Sequence, residues 1–337
     1  MPNIVVHCSD DPETNAQVGQ QVDAYLGASS SPKTRAELLF LKTFSFPTEL
    51  DEIRRSEFWR EALGAAPESI VSGFVQCGFL EDGSADVARL LQSKSKGELK
   101  SLAKLRGISP SGTKEDLANK LFKSDPSGIS ELFRGKTYFT CTPKGRLVVE
   151  KFEQSEKELR LKAETETESA LRGGRYKDAC ITVSSFEASQ VFPRGVGIDW
   201  KRYDAERDVE ILDEIAAYSP TGHRSIPQSI IPSLRIGAGM MNLWGESNPL
   251  KWLTGSEREF AHGAQIMLHA AISKVNLRQW KRLGFRQVRL LSSGRSDVCK
   301  TCKEAGAKTY LIDSVPDLPH EKCSCEHGCG CTLIAVA

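Results

Sequence analysis

Between Cys299 and Cys331 the chain sets six cysteines and two histidines within 33 residues, and no other stretch restricts its folding so tightly. The run Ser296-Asp-Val-Cys-Lys-Thr-Cys is followed later by Leu318-Pro-His-Glu-Lys-Cys-Ser-Cys. A Cys-x-x-Cys in a turn lets two thiolates reach one ion, and a His-x-x-Cys-x-Cys further on can complete a tetrahedron. The spacing nominates Cys299, Cys302, His320 and either Cys323 or Cys325 as ligands. Glu326-His-Gly-Cys-Gly-Cys then adds His327, Cys329 and Cys331, so eight candidate ligands are present, enough for a second ion. Nitrogen and sulfur donors in a reducing cell point to Zn²⁺. A redox Cys-x-x-Cys would sit in a βαβ setting, and the flanking residues offer none. No general base stands beside the cluster, so a structural zinc is expected rather than a catalytic one. The remaining cysteines, Cys8, Cys77, Cys141 and Cys180, are scattered and read as buried small hydrophobes.

A second constraint lies at Lys94–Lys123. Leu99, Leu102 and Leu105 share one face of a first helix; Leu117, Leu121 and Phe122 share one face of a second. Gly107 ends the first helix, and Ile108 is placed to plug the small core between them. Thr113 is a natural N-cap, and Glu115 and Asp116 suit the positive end of the helix that follows. The loop therefore presents Ser111, Gly112, Thr113 and Lys114 at a helix N-terminus, an arrangement suited to phosphate. The segment carries eight basic residues against three acidic ones, a local charge of +5 in a chain that is +1 overall. A chain so nearly neutral does not coat nucleic acid with its whole surface. Any nucleic-acid contact must be local, through Lys100, Lys104, Arg106, Lys114 and Lys120, salt-dependent and weakly sequence-specific.

Elsewhere the text is mainly helical. Residues 16–90 have helical spacing, with a break at Leu80-Glu-Asp-Gly-Ser. Tyr138 begins a short strand or turn that leads into a Glu- and Lys-rich helix over about 145–171, stopped at Gly173-Gly174. Its alternating charges predict a solvated connecting helix or short coiled segment. Helices are expected at 176–190, 203–218 and 257–283, with a strand at 285–291. The expected divisions are 1–90, a helical region; 91–145, the basic hairpin with the strand or turn after it; 146–174, the connecting helix; and 175–337, a helical domain ending in the Cys/His module at 296–331. The 39% hydrophobic content is ordinary for globular protein, and no run of about 18 apolar residues or signal-like start occurs. A soluble, cytoplasmic protein with no membrane partner is the expectation. His262 and His269 share a helix face, and read more readily as half-buried hydrogen-bonded residues than as ligands. His223 lies in a polar loop. The pairs Gly195/Gly197 and Gly237/Gly239 lack a full phosphate-loop pattern. No Walker motif, Ser/His/Asp set or carboxylate pair at catalytic spacing is present.

Two resemblances attach to these motifs. The leucine spacing with Arg106-Gly-Ile-Ser-Pro-Ser-Gly-Thr-Lys-Glu-Asp-Leu resembles the SAP domain family over about 30 residues, which implies a helix-loop-helix that binds DNA, less commonly RNA. The run from Glu257 to Cys325 is similar to the C-terminal part of phage head-morphogenesis (minor head) proteins. Carried over by position, it implicates Asp297, Cys299, Cys302, His320, Cys323 and Cys325. The chain departs from that pattern at Ser324, where the family usually has Arg, and in the added Cys329 and Cys331. The expected fold is mainly α and multi-domain, a SAP-like helix-loop-helix plus a C-terminal zinc-stabilised α+β unit. The expected function is non-enzymatic DNA binding with one zinc ion or two. Two alternatives are a metal-dependent nuclease targeted by the hairpin, and a head-assembly protein with protein partners.

Overall fold

The computed structural model describes residues 32–189, 205–218, 226–292, 298–306, 308–320, 323–325, 329 and 331–336. Among them are fourteen α-helices and two three-stranded sheets, so the chain is mainly helical. No described helix is long and apolar enough to cross a membrane. The chain divides into two compact units, Met1–Glu158 and Leu159–Ala337.

In the first unit, α1 (Arg35–Thr43) starts at Thr34, whose hydroxyl accepts the Glu37 N–H while the Glu37 carboxylate accepts the Thr34 N–H. Phe40, Leu41 and Phe44 are fully buried, and Phe40 meets Phe44 edge-on at 5.3 Å. The chain continues through β1 (Thr48–Glu49), α2 (Leu50–Arg54), α3 (Glu57–Leu63), α4 (Pro67–Gln76) and β2 (Leu80–Asp82). Both strands pair antiparallel with β3 (Tyr138–Cys141), with Thr48 opposite Phe139 and Leu80 opposite Cys141. β1 interrupts what local spacing reads as helix and β2 falls on the expected break; both are extended because their partner lies far along the chain.

Between β2 and β3 the chain inserts α5 (Val87–Ser93), α6 (Lys96–Leu105), α7 (Lys114–Ser124) and α8 (Pro126–Glu131). These pack a core of their own around Leu90, Leu91, Leu99, Ala103, Leu117, Leu121 and Ile129. The insertion leaves and returns on paired strands, and Arg89 donates to the Ser45 carbonyl at 3.1 Å, so the hairpin is fixed to the sheet. Leu105 is the exception to the expected face: it is 82% exposed, and Ala103 takes the inward place. Positions 99 and 103 lie about 40° apart around a helix, whereas 99 and 105 lie about 120° apart.

Helix α9 (Pro143–Arg172) follows β3. Gly145 sits so close to the Phe79 carbonyl that an added Cβ would meet its oxygen at 2.2 Å. Gly145→Ala is therefore expected to cost about 1–3 kcal/mol, measured as a lowered midpoint in denaturant unfolding. The helix is not solvated all round as its charges suggest. Val149 and Phe152 are buried in the first unit, and Ala163, Thr167, Ala170 and Leu171 in the second. Small residues at this spacing make a packing stripe that charge patterning hides.

The second unit packs the end of α9 with α10 (Tyr176–Ala188), α11 (Ala205–Ala217), α12 (Ile231–Trp244) and α13 (Ala261–Arg282) around Leu171, Val183, Ile211, Leu234, Trp244 and Met267. The helix expected from 257 is a 3₁₀ turn at Gly255–Phe260 before α13 begins. Gly237 and Gly239 lie buried in α12, where they admit Leu253 and Leu171 at close range, so they serve packing. Beyond α13 come β4 (Gln287–Leu291), α14 (Lys300–Ala305), β5 (Thr309–Leu311) and β6 (Thr332–Val336), with sheet order β5-β4-β6. Both pairings are antiparallel, and Leu291 stands opposite Thr332.

Candidate metal centre and basic hairpin

The register of β4 and β6 positions the cysteines. β4 ends at Leu291, Val298 and Cys299 lead into α14, and Cys331 directly precedes Thr332, which stands opposite Leu291 at the same end of the sheet. Cys299 is the extended N-cap of α14, and Cys302 lies in its first turn, fully buried. Cys323 and Cys325 approach along the segment after β5, and the Cys323 N–H donates to the His320 carbonyl at 2.9 Å.

Two groups of ligand atoms result, with all atoms in each within 4.8 Å of one another: Cys299, Cys302, Cys323 and Cys325; and Cys302, Cys329 and Cys331. Cys302 Sγ lies 3.5 Å from Cys323 Sγ, 3.7 Å from Cys329 Sγ and 3.8 Å from Cys325 Sγ. A disulfide is about 2.05 Å long, so these contacts are not disulfides. A tetrahedron with metal–sulfur bonds of about 2.3 Å has sulfur–sulfur edges of about 3.8 Å. The spacing therefore suits sulfur around a metal ion.

The electrostatics show what an ion there would have to offset. Burial raises the Cys302 thiol first of all, and the neighbouring Cys331 and Cys323 add to the rise. Cys323 and Cys331 are each pushed up to about 12, chiefly by burial. Burial also opposes ionisation of Cys299, but N–H groups of Cys302 and Ser324 donate to its sulfur and bring it to about 6. A divalent cation would offset the repulsion that ionising the others creates. Together the six cysteines can hold a metal ion.

Both Cys323 and Cys325 join the first group, where spacing left a choice between them. His320 joins neither; it is buried, with Nε2 unpartnered, and burial lowers its pKa. His327, Asp297, His223, Gly195 and Gly197 lie outside the described residues. His262 and His269 are half-buried on α13 and belong to neither group. Spacing does not single out β6, the strand that follows Cys331, although Thr332-Leu-Ile-Ala-Val has the residue types of one.

On the hairpin, Thr113 caps α7: its hydroxyl accepts the Asp116 N–H, and the Asp116 carboxylate accepts the Thr113 N–H. These bonds lower the Asp116 pKa. The Lys114 and Glu115 N–H groups of the first turn are left without intrahelical acceptors. Gly112 adopts φ 119°, a value that favours glycine, and packs against Asp116. Lys120 Nζ donates to the Ser111 carbonyl at 3.0 Å, and the Ser109 and Ser111 hydroxyls lie 2.8 Å apart, so the loop is held in shape. Lys100, Lys104 and Lys114 are exposed, with Lys114 Nζ 6.0 Å from the Phe46 ring centroid. Arg106 is turned inward: it donates to Asp125 at 3.2 Å and to the Gly128 carbonyl at 3.5 Å. Arg106→Ala is therefore expected to lower the stability of the first unit by about 1 kcal/mol, read from denaturant unfolding.

Compared with known proteins, the chain matches no family model and no curated protein. The functional reading therefore rests on the two sites themselves.

Proposed function

We propose that this protein binds DNA through the α6–α7 hairpin, acting as a SAP-type module, and that a structural zinc ion on Cys299, Cys302, Cys323 and Cys325 braces its C-terminal unit. The observation that carries the DNA reading is the local charge of +5 on a capped hairpin within a chain of net +1. Exposed Lys100, Lys104 and Lys114 would contact phosphates, while Ser111 and Gly112 would bring backbone N–H groups to the N-terminal end of α7 and Thr113 holds that turn through its cap. Such contacts position a protein on a duplex without reading its bases, so weak sequence preference is expected.

Zinc is favoured over other ions by the donor set: four sulfurs all within 4.8 Å of one another, with no carboxylate in the group. Four protein ligands close the coordination sphere, which suits a brace rather than a catalyst. The resemblance of Glu257–Cys325 to phage head-morphogenesis proteins supports the zinc-stabilised local fold of this unit. Binding is tested by fluorescence anisotropy on a labelled duplex across a salt series. Affinity should fall linearly in log–log form as salt rises, with similar slopes for unrelated sequences. Flat salt dependence would sink the phosphate-contact reading; cleavage of plasmid with added Mg²⁺ would favour a nuclease instead.

A further inference from the structure

We propose that the cysteine cluster is a two-metal thiolate centre in which Cys302 Sγ bridges the ions; this rests on the zinc reading above. The first ion takes Cys299, Cys302, Cys323 and Cys325, and the second takes Cys302, Cys329 and Cys331. A tetrahedral zinc accepts four ligands, so Cys329 and Cys331 have no place on the first ion. Yet both sulfurs are gathered with that of Cys302, and Cys331 is fully buried.

Cys302 occupies the place a bridge requires. Its sulfur lies one tetrahedral edge from ligands of both ions: 3.5 Å from Cys323 and 3.8 Å from Cys325 on one side, 3.7 Å from Cys329 on the other. A thiolate has lone pairs enough for two metal bonds, and sharing it reduces the anionic charge that must be buried. The backbone supports the arrangement from three directions. Cys302 comes from the first turn of α14, Cys323 and Cys325 from the segment after β5, and Cys331 from the entry to β6. Three sulfurs on the second ion leave its fourth position to a donor other than cysteine.

The test uses the full chain, saturated with zinc and freed of loosely held metal by gel filtration. Elemental analysis should give about two zinc ions per chain, and Cys329→Ser/Cys331→Ser should hold about one with unchanged far-UV circular dichroism. About one zinc in the unaltered protein overturns the second site and leaves the first standing; essentially none overturns the zinc reading itself. The bridge is read separately, in a way that does not depend on how the variant folds. Protein loaded with ¹¹³Cd should give two cadmium resonances, each split by the other through the shared sulfur. Two unsplit resonances would overturn the role of Cys302 as a bridge.

Discussion

Removing metal with a strong chelator is expected to melt the β5-β4-β6 sheet while the α10–α13 bundle stays folded. Among the described residues, the small core around the sheet buries Val288, Leu290, Val298, Leu318 and Leu333 with Cys302, Cys325 and Cys331, and Leu277, Trp280, Tyr310, Ile312 and Val315 pack against it half-buried. So small a core, with cysteines for three of its buried members, calls for a further constraint. A structural zinc supplies one, because its binding free energy is also folding free energy, about 10–16 kcal/mol in small zinc modules. The α10–α13 bundle has a far larger core of its own, including Trp244, Leu234 and Met267. Hydrogen exchange should therefore show protection at Val288 and Leu333 falling by more than about a hundredfold after chelation, with little change at Leu234. Acid should act in the same direction, since thiolate ligands must stay deprotonated. In the metal-free chain Cys299 acts with the same sign: with its pKa held near 6, below the ordinary value of 9.0, its own contribution is complete above about 9 and is lost as pH falls through about 6. Unchanged protection at Val288 and Leu333 in chelator would refute the metal brace.

What the sequence disclosed depended on how local the cause was. Thr113, Gly107 and Leu117 act within a turn or two of themselves, so the helix boundaries of the hairpin could be read from spacing and capping. The strands at Tyr138–Cys141 and Gln287–Leu291 are legible too, but β1 and β2 are not. Thr48 and Leu80 are extended because Phe139 and Cys141 lie beside them, and no window around either residue contains that information. The burial of α9 was obscured for another reason. Its inward positions are Ala163, Thr167 and Ala170, which carry little hydrophobic signal beside a run of Glu and Lys. At the cysteine cluster, spacing identified the six cysteines but not their partition. His320 was favoured as a ligand by its distance along the chain, whereas the sulfurs gather through the pairing of β4 with β6.

Replacing Lys100, Lys104 and Lys114 together with alanine is expected to weaken DNA binding roughly a hundredfold at low salt, if each phosphate contact contributes about 1 kcal/mol. The more discriminating readout is the slope of log affinity against log salt, which should become shallower by about 2.7 for three lost contacts. All three side chains are exposed, and none supplies a core contact of the hairpin, so the fold should survive the change. Arg106 provides the contrast. It is partly buried against Asp125, so its loss should register in stability. Thermal unfolding of the triple variant should match that of the unaltered protein to within a few degrees, which separates lost contact from lost structure. A triple variant that keeps both its affinity and its salt slope would place any DNA contact elsewhere on the chain. The hairpin would then be read as a surface for protein, a use for which a helical module held between paired strands is equally well built.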